Sequence, residues 1–421
     1  MSSLTFFKKF RDDTKGAVAV IFGLAFVALI GFVGLSVDVG SWVKKRSDLV
    51  SSADFGSLAG TRALVEAILR KDDDNAETIA RTTALKYIAE NGGVAATPHV
   101  TVSTIRPYGV RVTLNEDGQQ YFSQAVGQSA PDIGVVSHAV ANRVADGCVV
   151  ALDPDAAPGI RFGLSGEVVA NGCAIWSNAE PASSMDGQGS GRVASDTNCA
   201  GGGAAATSGL DITPKVRPNC LKVRDPFADW TAPDYSDDFC DHNNMRINGQ
   251  ASAPLTPGKY CGGITILGGA TVTFEPGLYI IDGGSLTGLG SSSLTGVNVC
   301  FLFTNGAEID LSGTADVELS ACTSAESVEL AGMIFAGGRD ETRVTSTIAG
   351  NNRFRLEGHV YLPSHDVNFS GGPDGGFPPD YTTLAAATIR FDGSARTQFR
   401  NPSSPSDYYS ARAFSHIYLT E

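Results

Sequence analysis

Four carboxylates recur at two-residue spacing in two neighbouring segments of the C-terminal part of the chain. They alternate with apolar residues, which is the order expected of β-strands whose polar side chains share one face. Carboxylates paired in this way could bind calcium or act as general acid and base. The simpler interpretation is a solvated strand face that keeps the protein soluble. The four residues are Glu308, Asp310, Asp316 and Glu318.

The six histidines do not follow the spacing of a metal site. None belongs to an HExxH motif, although His359 and His365 share one short segment. The sequence also contains no GxSxG motif, which argues against the hydrolase class that uses that nucleophile elbow. We therefore predict that the protein is not an enzyme, with no catalytic residue, no cofactor-binding residue and no metal ligand.

The eight cysteines all follow the apolar segment near the N-terminus. An even count without CxxC pairs favours disulfides in an oxidising compartment over zinc or redox sites, with buried free thiols as the alternative. Most spacings are roughly 20 to 25 residues, which suggests neighbour-to-neighbour pairing, but eight cysteines allow about 100 connectivities. The candidate disulfide cysteines are Cys148, Cys173, Cys199, Cys220, Cys240, Cys261, Cys300 and Cys322.

Length and composition predict several structural units rich in short strands. The chain has 421 residues, 49 of them glycine, and only 18% of its residues are charged. A chain this long exceeds one ordinary core, and abundant glycine is typical of strands joined by tight turns. The net charge of −14 argues against a nucleic-acid partner, because such a surface needs clustered lysine and arginine.

Residues Ala17 to Val37 form an uncharged stretch that is long enough to cross a bilayer core of roughly 30 Å as a helix. We expect a retained membrane anchor; a cleaved signal peptide is the alternative, but the stretch is long for one and no small-x-small site follows it. The anchor residues include Ala17, Val20, Phe22, Gly23, Phe26, Leu29, Gly31 and Val37, and Ala19, Gly23 and Gly31 share a helix face that suits close packing in lipid.

The charges around the stretch predict its orientation. Lys8, Lys9, Arg11 and Lys15 precede it and Asp38 follows, so the positive-inside rule places residues 1–16 in the cytoplasm. Lysines and an arginine at 44–46 weaken that bias, and the cysteine distribution decides in favour of an exported C-terminal part. We predict a single-pass inner-membrane protein whose C-terminal domain is periplasmic or on the cell surface.

Residues 38–145 read as a small α+β unit. A helix that continues or follows the anchor carries a narrow face of mostly small residues, and a second helix is expected from Asn75 to Glu90. Alternating residues around Pro107 predict a β-hairpin, and Ile133 to Val144 one more strand. The predicted helix-packing face, which could pack against sister subunits, consists of Leu49, Ala53, Gly56, Gly60, Ala63 and Ala67.

Three N-terminal motifs together resemble the TadE/TadG-like family, which supports Flp (type IVb) pili. They are F-x-x-D-x-x-G-A-V-A-V-I-F from Phe10, G-L-S-V-D-V-G at 34–40 and D-L-V-S-S-A-D-F-G-S-L-A-G at 48–60. The resemblance is good over roughly residues 7–70 and loose over the next 75. It implies an inner-membrane component of a pilus-assembly or tight-adherence system, whose partners are other Tad/Flp assembly proteins.

Two departures from the family pattern narrow that role. Prepilin-like members have a cleavable glycine with glutamate at the fifth position of the mature helix, whereas Ile21 stands at that spacing after Gly16. The resemblance therefore implies a fixed anchor and not a processed pilin. Longer TadG-like members carry a von Willebrand A-like domain with a D-x-S-x-S metal loop, and this chain has no such string.

Residues 146–421 are predicted to form an exported all-β domain. Short apolar-alternating runs recur every 8 to 12 positions, as at 264–267, 271–274 and 278–281. The pattern resembles a right-handed parallel β-helix, with a β-sandwich as the alternative. Residues 182–257 are richer in glycine, proline and polar residues and suggest a loop excursion pinned by cysteines. The predicted fold class is thus α+β with a dominant all-β part.

The function predicted from these features is that of a non-enzymatic, membrane-anchored component of a Tad/Flp-type pilus-assembly or tight-adherence system. Its expected partners are other assembly proteins and the lipid bilayer, with self-association as a further option. The alternative is a membrane-tethered β-helix protein that binds or cleaves polysaccharide, because such enzymes place paired carboxylates on one face of a β-helix.

Overall fold

The computed structural model describes residues 14–70, 72–92, 96–143, 145–236, 239–312, 315–350, 354–371, 383–394, 396–400 and 412–420. The chain forms two compact units, residues 1–141 with 417–421 and residues 142–416. Most of the predicted cytoplasmic segment 1–16, including Phe10, lies outside the described residues.

Unit 1 contains two helices and a four-stranded sheet. Helix α1 spans Thr14–Leu69 without interruption, and helix α2 spans Asp73–Glu90. The second helix begins just before the predicted start and ends at the predicted residue, where Asn91 and the positive φ of Gly92 terminate it. A single turn of 3₁₀ helix covers Ser123–Val126.

The sheet of unit 1 contains the predicted hairpin and a strand from the C-terminal end of the chain. Strands β1 (Thr97–Ser103) and β2 (Tyr108–Asp117) pair antiparallel, and β2 pairs antiparallel with β3 (Asp132–Arg143). The fourth strand is the last of the chain, β25 (Phe414–Thr420), next to β3. The chain therefore leaves this unit after β3 and returns to it within β25.

The small-residue face of α1 packs inside unit 1. A Cβ atom on Gly56 would lie 2.5 Å from the Ile88 side chain, and one on Gly60 would lie 2.9 Å from Ala84 Cβ. Leu49, Ala53 and Ala67 are buried as well, whereas Ala63 is only half-buried. The face is thus covered by α2 and the sheet of the same chain, which corrects the expectation that it packs against sister subunits.

Unit 2 is a parallel β-solenoid of about ten turns. The strand ladders among the described residues of unit 2 are parallel, which confirms the predicted β-helix-like architecture over a sandwich. Its strands are β4 Gly147–Ala151, β5 Ile160–Leu164, β6 Glu167–Ser177, β7 Met185–Gly189, β8 Arg192–Ala200, β9 Ala204–Ser208, β10 Asp211–Thr213, β11 His242–Ile247, β12 Ser252–Leu255, β13 Gly258–Ile266, β14 Thr271–Phe274, β15 Gly277–Gly288, β16 Ser293–Thr304, β17 Glu308–Leu311, β18 Asp316–Ala321, β19 Met333–Gly337, β20 Val344–Gly350, β21 Phe354–Glu357, β22 His359–Gly371, β23 Leu384–Gly393 and β24 Arg396–Arg400.

The turns of the solenoid are not stacked in chain order. Strand β23 pairs with β22 on one side and with β4 and β5 on the other. The last turns of the chain therefore pack against the first ones, and β4–β10 continue the stack beyond β23 and β24. In consequence β10 lies at one end of the solenoid and β11, the next strand in sequence, at the other end.

The interior of the solenoid holds ladders of aromatic rings. Tyr260, Tyr279, Phe301 and Phe335 follow one another on successive turns, with ring centroids 5.2 to 5.9 Å apart. Both tyrosine hydroxyls donate to backbone carbonyls, as Tyr260 does to Thr256 O at 2.7 Å. These rings are fully buried, so they supply much of the apolar area that stabilises the stack.

Glycine pairs form one corner of successive turns. Gly262–Gly263 and Gly283–Gly284 all have φ between +67° and +87°, a region that side-chain-bearing residues rarely adopt. A Cβ on Gly263 would also lie 2.3 Å from Ser285 O on the next turn. The high glycine content therefore reflects corners where the backbones of adjacent turns approach closely.

The connection from β10 to β11, residues 214–241, is named the strap here. It crosses the outside of the solenoid and covers a second apolar cluster that includes Trp176, Tyr361 and Leu302. Asn178 and Val223 exchange two hydrogen bonds of 2.9 Å, and Trp230 Nε1 donates to Glu329 O at 2.7 Å. The strap is thus a packed part of unit 2.

Disulfides hold the strap at both ends. Cys199–Cys220 joins its beginning to β8, and Cys240–Cys261 joins its end to β13. Cys148–Cys173 and Cys300–Cys322 link neighbouring turns. All four are the neighbour pairs that the spacing suggested. The strap is shorter than the excursion expected at 182–257, because strands β7–β10 and β11–β12 occupy both flanks of that region.

Candidate functional site along the anchor helix

The N-terminal part of α1 exposes apolar side chains on nearly all sides. From Val20 to Val37 only Gly34 is buried, so this stretch buries little within the chain. By length and composition the helix could cross a membrane. Among the predicted anchor residues, Val20, Phe22, Phe26, Leu29 and Val37 are 48 to 66% exposed. Ala17 lies in the helix, and a Cβ on Gly23 or Gly31 would meet nothing within 4 Å.

One side of α1 is nevertheless in contact with the loop between β2 and β3. We call residues 118–127 the helix-contact loop. The helix contributes Gly34, Asp38 and Trp42, which are spaced four residues apart and so lie on one face. These contacts begin inside the apolar stretch and continue beyond it.

Asp38 holds this loop through its carboxylate. The residue is fully buried, and its oxygens accept hydrogen bonds from three consecutive backbone N–H groups. Tyr121 N lies 3.0 Å from Oδ1, Phe122 N 3.0 Å from Oδ2 and Ser123 N 2.6 Å from Oδ2. These N–H groups lie at the start of the 3₁₀ turn, where a helix leaves its first N–H groups without acceptors of its own, so the carboxylate satisfies and orients the turn.

Packing on either side of Asp38 fixes the loop further. A Cβ atom on Gly34 would lie 2.8 Å from Cβ and Cγ of Phe122, so only glycine lets that ring lie against the helix backbone. One turn beyond Asp38, Trp42 Nε1 donates to Gln119 O at 2.7 Å. Lys45 forms an ion pair with Glu116 at the end of β2. The sequence motif at 34–40 pointed to Gly34 and Asp38, but nothing in it indicated their partners in the loop before β3; those of Asp38 are 83 to 85 residues away.

The four predicted strand carboxylates are not brought together as one site. Glu308 and Asp310 lie on β17, which pairs with β15, whereas Asp316 and Glu318 lie on β18, which pairs with β16. Their side chains alternate with buried residues and are half-buried or exposed. Within the described residues, no cluster of three or more His, Cys, Asp or Glu side chains is placed to hold a metal ion.

The two histidines singled out in the sequence are buried inside unit 2. His365 Nδ1 lies 2.8 Å from Ser346 Oγ, which in turn accepts the Ile309 N–H at 3.0 Å. His359 Nδ1 accepts the Thr383 N–H at 3.2 Å. Burial lowers the pKa of each imidazole to about 4, partly opposed at His365 by Asp366. Ser346 and His365 are 0 and 2% exposed, so this pair lies out of reach of a substrate.

A buried ion pair lies between the solenoid and the strap. Lys259 Nζ is 2.9 Å from Asp282 Oδ2 and donates to Tyr235 O in the strap, also at 2.9 Å. Burial raises the pKa of the Asp282 carboxyl, whereas hydrogen bonds from Asn305 and Lys259 and the charge of Lys259 lower it. The lowering effects together are larger, so the net shift of the pKa is downward. The charges are paired within the chain, which suits a role in holding the strap.

Comparison with known proteins finds a similarity to one family in the N-terminal part of the chain. The Tad family model, described as "Putative Flp pilus-assembly TadE/G-like", matches residues 16–63. The match includes the apolar stretch, Gly34, Asp38 and most of the small-residue face, and it confirms the resemblance that the N-terminal motifs indicated. No curated protein and no solved structure matches the chain.

Replacing Asp38 should release the helix-contact loop. In Asp38→Ala the N–H groups of Tyr121, Phe122 and Ser123 lose their acceptor, so we expect their hydrogen exchange to quicken by roughly tenfold or more, as for a lost bond to a charged group. Exchange measured by mass spectrometry on the full chain in detergent tests this. Asp48→Ala, at an exposed carboxylate of the same helix, is the control; equal exchange in both variants contradicts the assignment.

The buried histidines should make the protein less stable in mild acid. Their pKa is about 4 when folded against an ordinary 6.5, so the unfolded chain binds more protons in that window. Their contribution to the free energy of unfolding is complete above pH 6.5 and falls as the pH drops towards 4, by at most about 3 kcal/mol for each histidine.

Denaturant unfolding between these pH values checks the effect. The variant His365→Asn keeps a hydrogen-bond acceptor for Ser346 but cannot titrate, so its stability should depend less steeply on pH than that of the unmodified protein. The same slope in both proteins would show that His365 does not titrate as described.

Proposed function

We propose that this chain is a membrane-anchored, non-enzymatic component of a Tad/Flp-type pilus-assembly or tight-adherence system. One observation carries the proposal: the Tad match at residues 16–63 coincides with the helix whose apolar side chains from Val20 to Val37 are exposed. The same residues therefore supply the family relationship and the surface for lipid.

Charge and cysteine placement support an orientation with the N-terminus in the cytoplasm. Lys8, Lys9, Arg11 and Lys15 precede the apolar stretch, whereas three basic residues at 44–46 follow it. One of those three, Lys45, is paired with Glu116. The four disulfides belong to unit 2 and favour an oxidising compartment for that unit. On this proposal the solenoid lies in the periplasm or at the cell surface.

On this proposal, partner proteins contact the part of α1 that no other segment of the chain covers. The small residues Gly23 and Gly31 stand two helical turns apart with open space beside them, and small residues let membrane helices approach closely. The face at Gly56 and Gly60 is already covered by α2. Other Tad/Flp assembly proteins, or a second copy of this chain, would therefore pack at the glycines of the span.

Complementation of a deletion strain tests the assembly role. We expect the strain to lose Flp pili and surface attachment, and the unmodified gene to restore both. A gene with Gly23→Ile and Gly31→Ile should restore them poorly because the added side chains block close packing. Leu29→Ile, about 120° around the helix from Gly23 and about 160° from Gly31, should restore them fully. Normal piliation of the deletion strain would count against the assembly role.

The second candidate function is that of a polysaccharide-binding or polysaccharide-cleaving surface protein. The observation that favours it is the parallel solenoid with Glu308 and Asp310 on one strand, facing away from the buried residues. Under the main proposal, the purified chain releases no product from pectin-like or alginate-like polymers. Turnover that Asp310→Ala abolishes, with Asp316→Ala active, would favour the enzyme.

A further inference from the structure

The helix-contact loop exposes large aromatic side chains beside the apolar part of α1. Tyr121 is 59% and Phe122 48% exposed, although each is fixed by a backbone hydrogen bond to Asp38. Residues 118–131 also contain no charged side chain, in a chain whose net charge is −14. An ordered, uncharged loop with exposed aromatics is suited to an apolar or interfacial environment.

The position of the loop along the helix indicates which environment that is. Phe122 packs against Gly34, three residues before the end of the apolar stretch at Val37, or about 4.5 Å along the helix axis. The Phe122 ring is therefore level with the last turn of the span. If the span crosses a bilayer, this ring is at the depth where the hydrocarbon core meets the headgroups.

The neighbouring side chains have the chemistry of a membrane interface. Trp42 follows one turn after Asp38 and is half-buried, with its Nε1 bonded to Gln119 O. The Tyr121 hydroxyl donates to Gln119 Oε1 at 2.6 Å. Tryptophan and tyrosine concentrate at the headgroup level because they combine an apolar ring with a polar group.

Several backbone N–H groups of the loop have hydrogen-bond acceptors within the chain, as a region poor in water requires. Asp38 accepts the N–H groups of Tyr121, Phe122 and Ser123, and the next turn is closed by Ala125 N donating to Phe122 O at 3.0 Å and Gly127 N donating to Gln124 O at 3.1 Å. Polar backbone groups near lipid need such internal partners. These five N–H groups meet that condition with acceptors from the chain itself.

We propose that the helix-contact loop is a second membrane contact, in which Tyr121 and Phe122 enter the bilayer interface beside α1 while Asp38 holds the loop against the helix. The occupant of this surface is the lipid bilayer. This inference rests on the proposed membrane anchoring and adds to it a fixed depth and rotation of unit 1 at the membrane surface.

Photo-crosslinking of the full chain in native membranes tests the proposal. The photoreactive residue p-benzoylphenylalanine replaces Phe122, Phe26 or Ile105 in separate proteins, and adducts are identified by mass spectrometry. Phe26 lies in the span. Ile105 is 73% exposed but precedes β2, whose N-terminal end pairs with the helix at Thr61, about 35 Å along α1 from Asp38.

We expect lipid adducts in the proteins that carry the photoreactive residue at position 122 or 26, and no lipid adducts in the protein that carries it at position 105. Adducts at Phe26 but none at Phe122, or adducts at Phe122 to a polypeptide instead of lipid, would overturn the loop contact and leave the anchor intact. Absence of lipid adducts at Phe26 would overturn the anchor and the loop contact together. Lipid adducts at Ile105 equal to those at Phe122 would show that the contact is not specific to this loop.

Discussion

A single uninterrupted helix carries both the apolar span and the surface on which the rest of unit 1 folds. Helix α1 has 56 residues, which corresponds to about 84 Å at the usual rise. No break separates Val37 from Asp38, so the helix fixes how far the folded part stands from the apolar stretch. The positions of α2, the sheet and the helix-contact loop along the helix all depend on that continuity.

A few small and polar residues allow the exposed apolar stretch of this helix to continue into the part that packs against the rest of unit 1. Gly34 admits an aromatic ring, Asp38 accepts three backbone N–H groups, and Gly56 and Gly60 admit α2. A larger residue at the glycines would push these partners away, because backbones and side chains already lie at contact distance. The same logic explains why the helix remains exposed at Gly23 and Gly31, where no partner from this chain approaches.

In unit 2 the order of the turns in the stack differs from their order in the chain, so one connection has to join strands at opposite ends of the solenoid. Since β10 and β11 lie at opposite ends, the chain must return along the outside of the stack. The strap does so over an outward-facing apolar surface at Trp176 and Tyr361, and its packing turns that surface into a second core. Disulfides at both of its ends restrict the unfolded chain and attach the strap where its contact with the solenoid begins and ends.

Much of this architecture was predictable from local pattern. The uncharged run at 17–37, the helix ending at Glu90, the hairpin and the short strands with glycine corners all follow from periodicity and turn residues. The partners of Asp38, the return of β25 to the first sheet and the stacking of β23 on β4 were not, because each depends on contacts between residues far apart in sequence. The limits of the strap were also missed, since strands β7–β10 lie in a glycine-rich region that looks like a loop.

The most direct test of the assembly role is to isolate the affinity-tagged full chain from native membranes and identify what is bound to it. The proposal predicts other Tad/Flp pilus-assembly membrane proteins, in amounts that fall when Gly23 and Gly31 are both replaced by isoleucine. If the tagged chain recovers only those proteins that a tagged, unrelated single-pass membrane protein also recovers, the proposed function is contradicted.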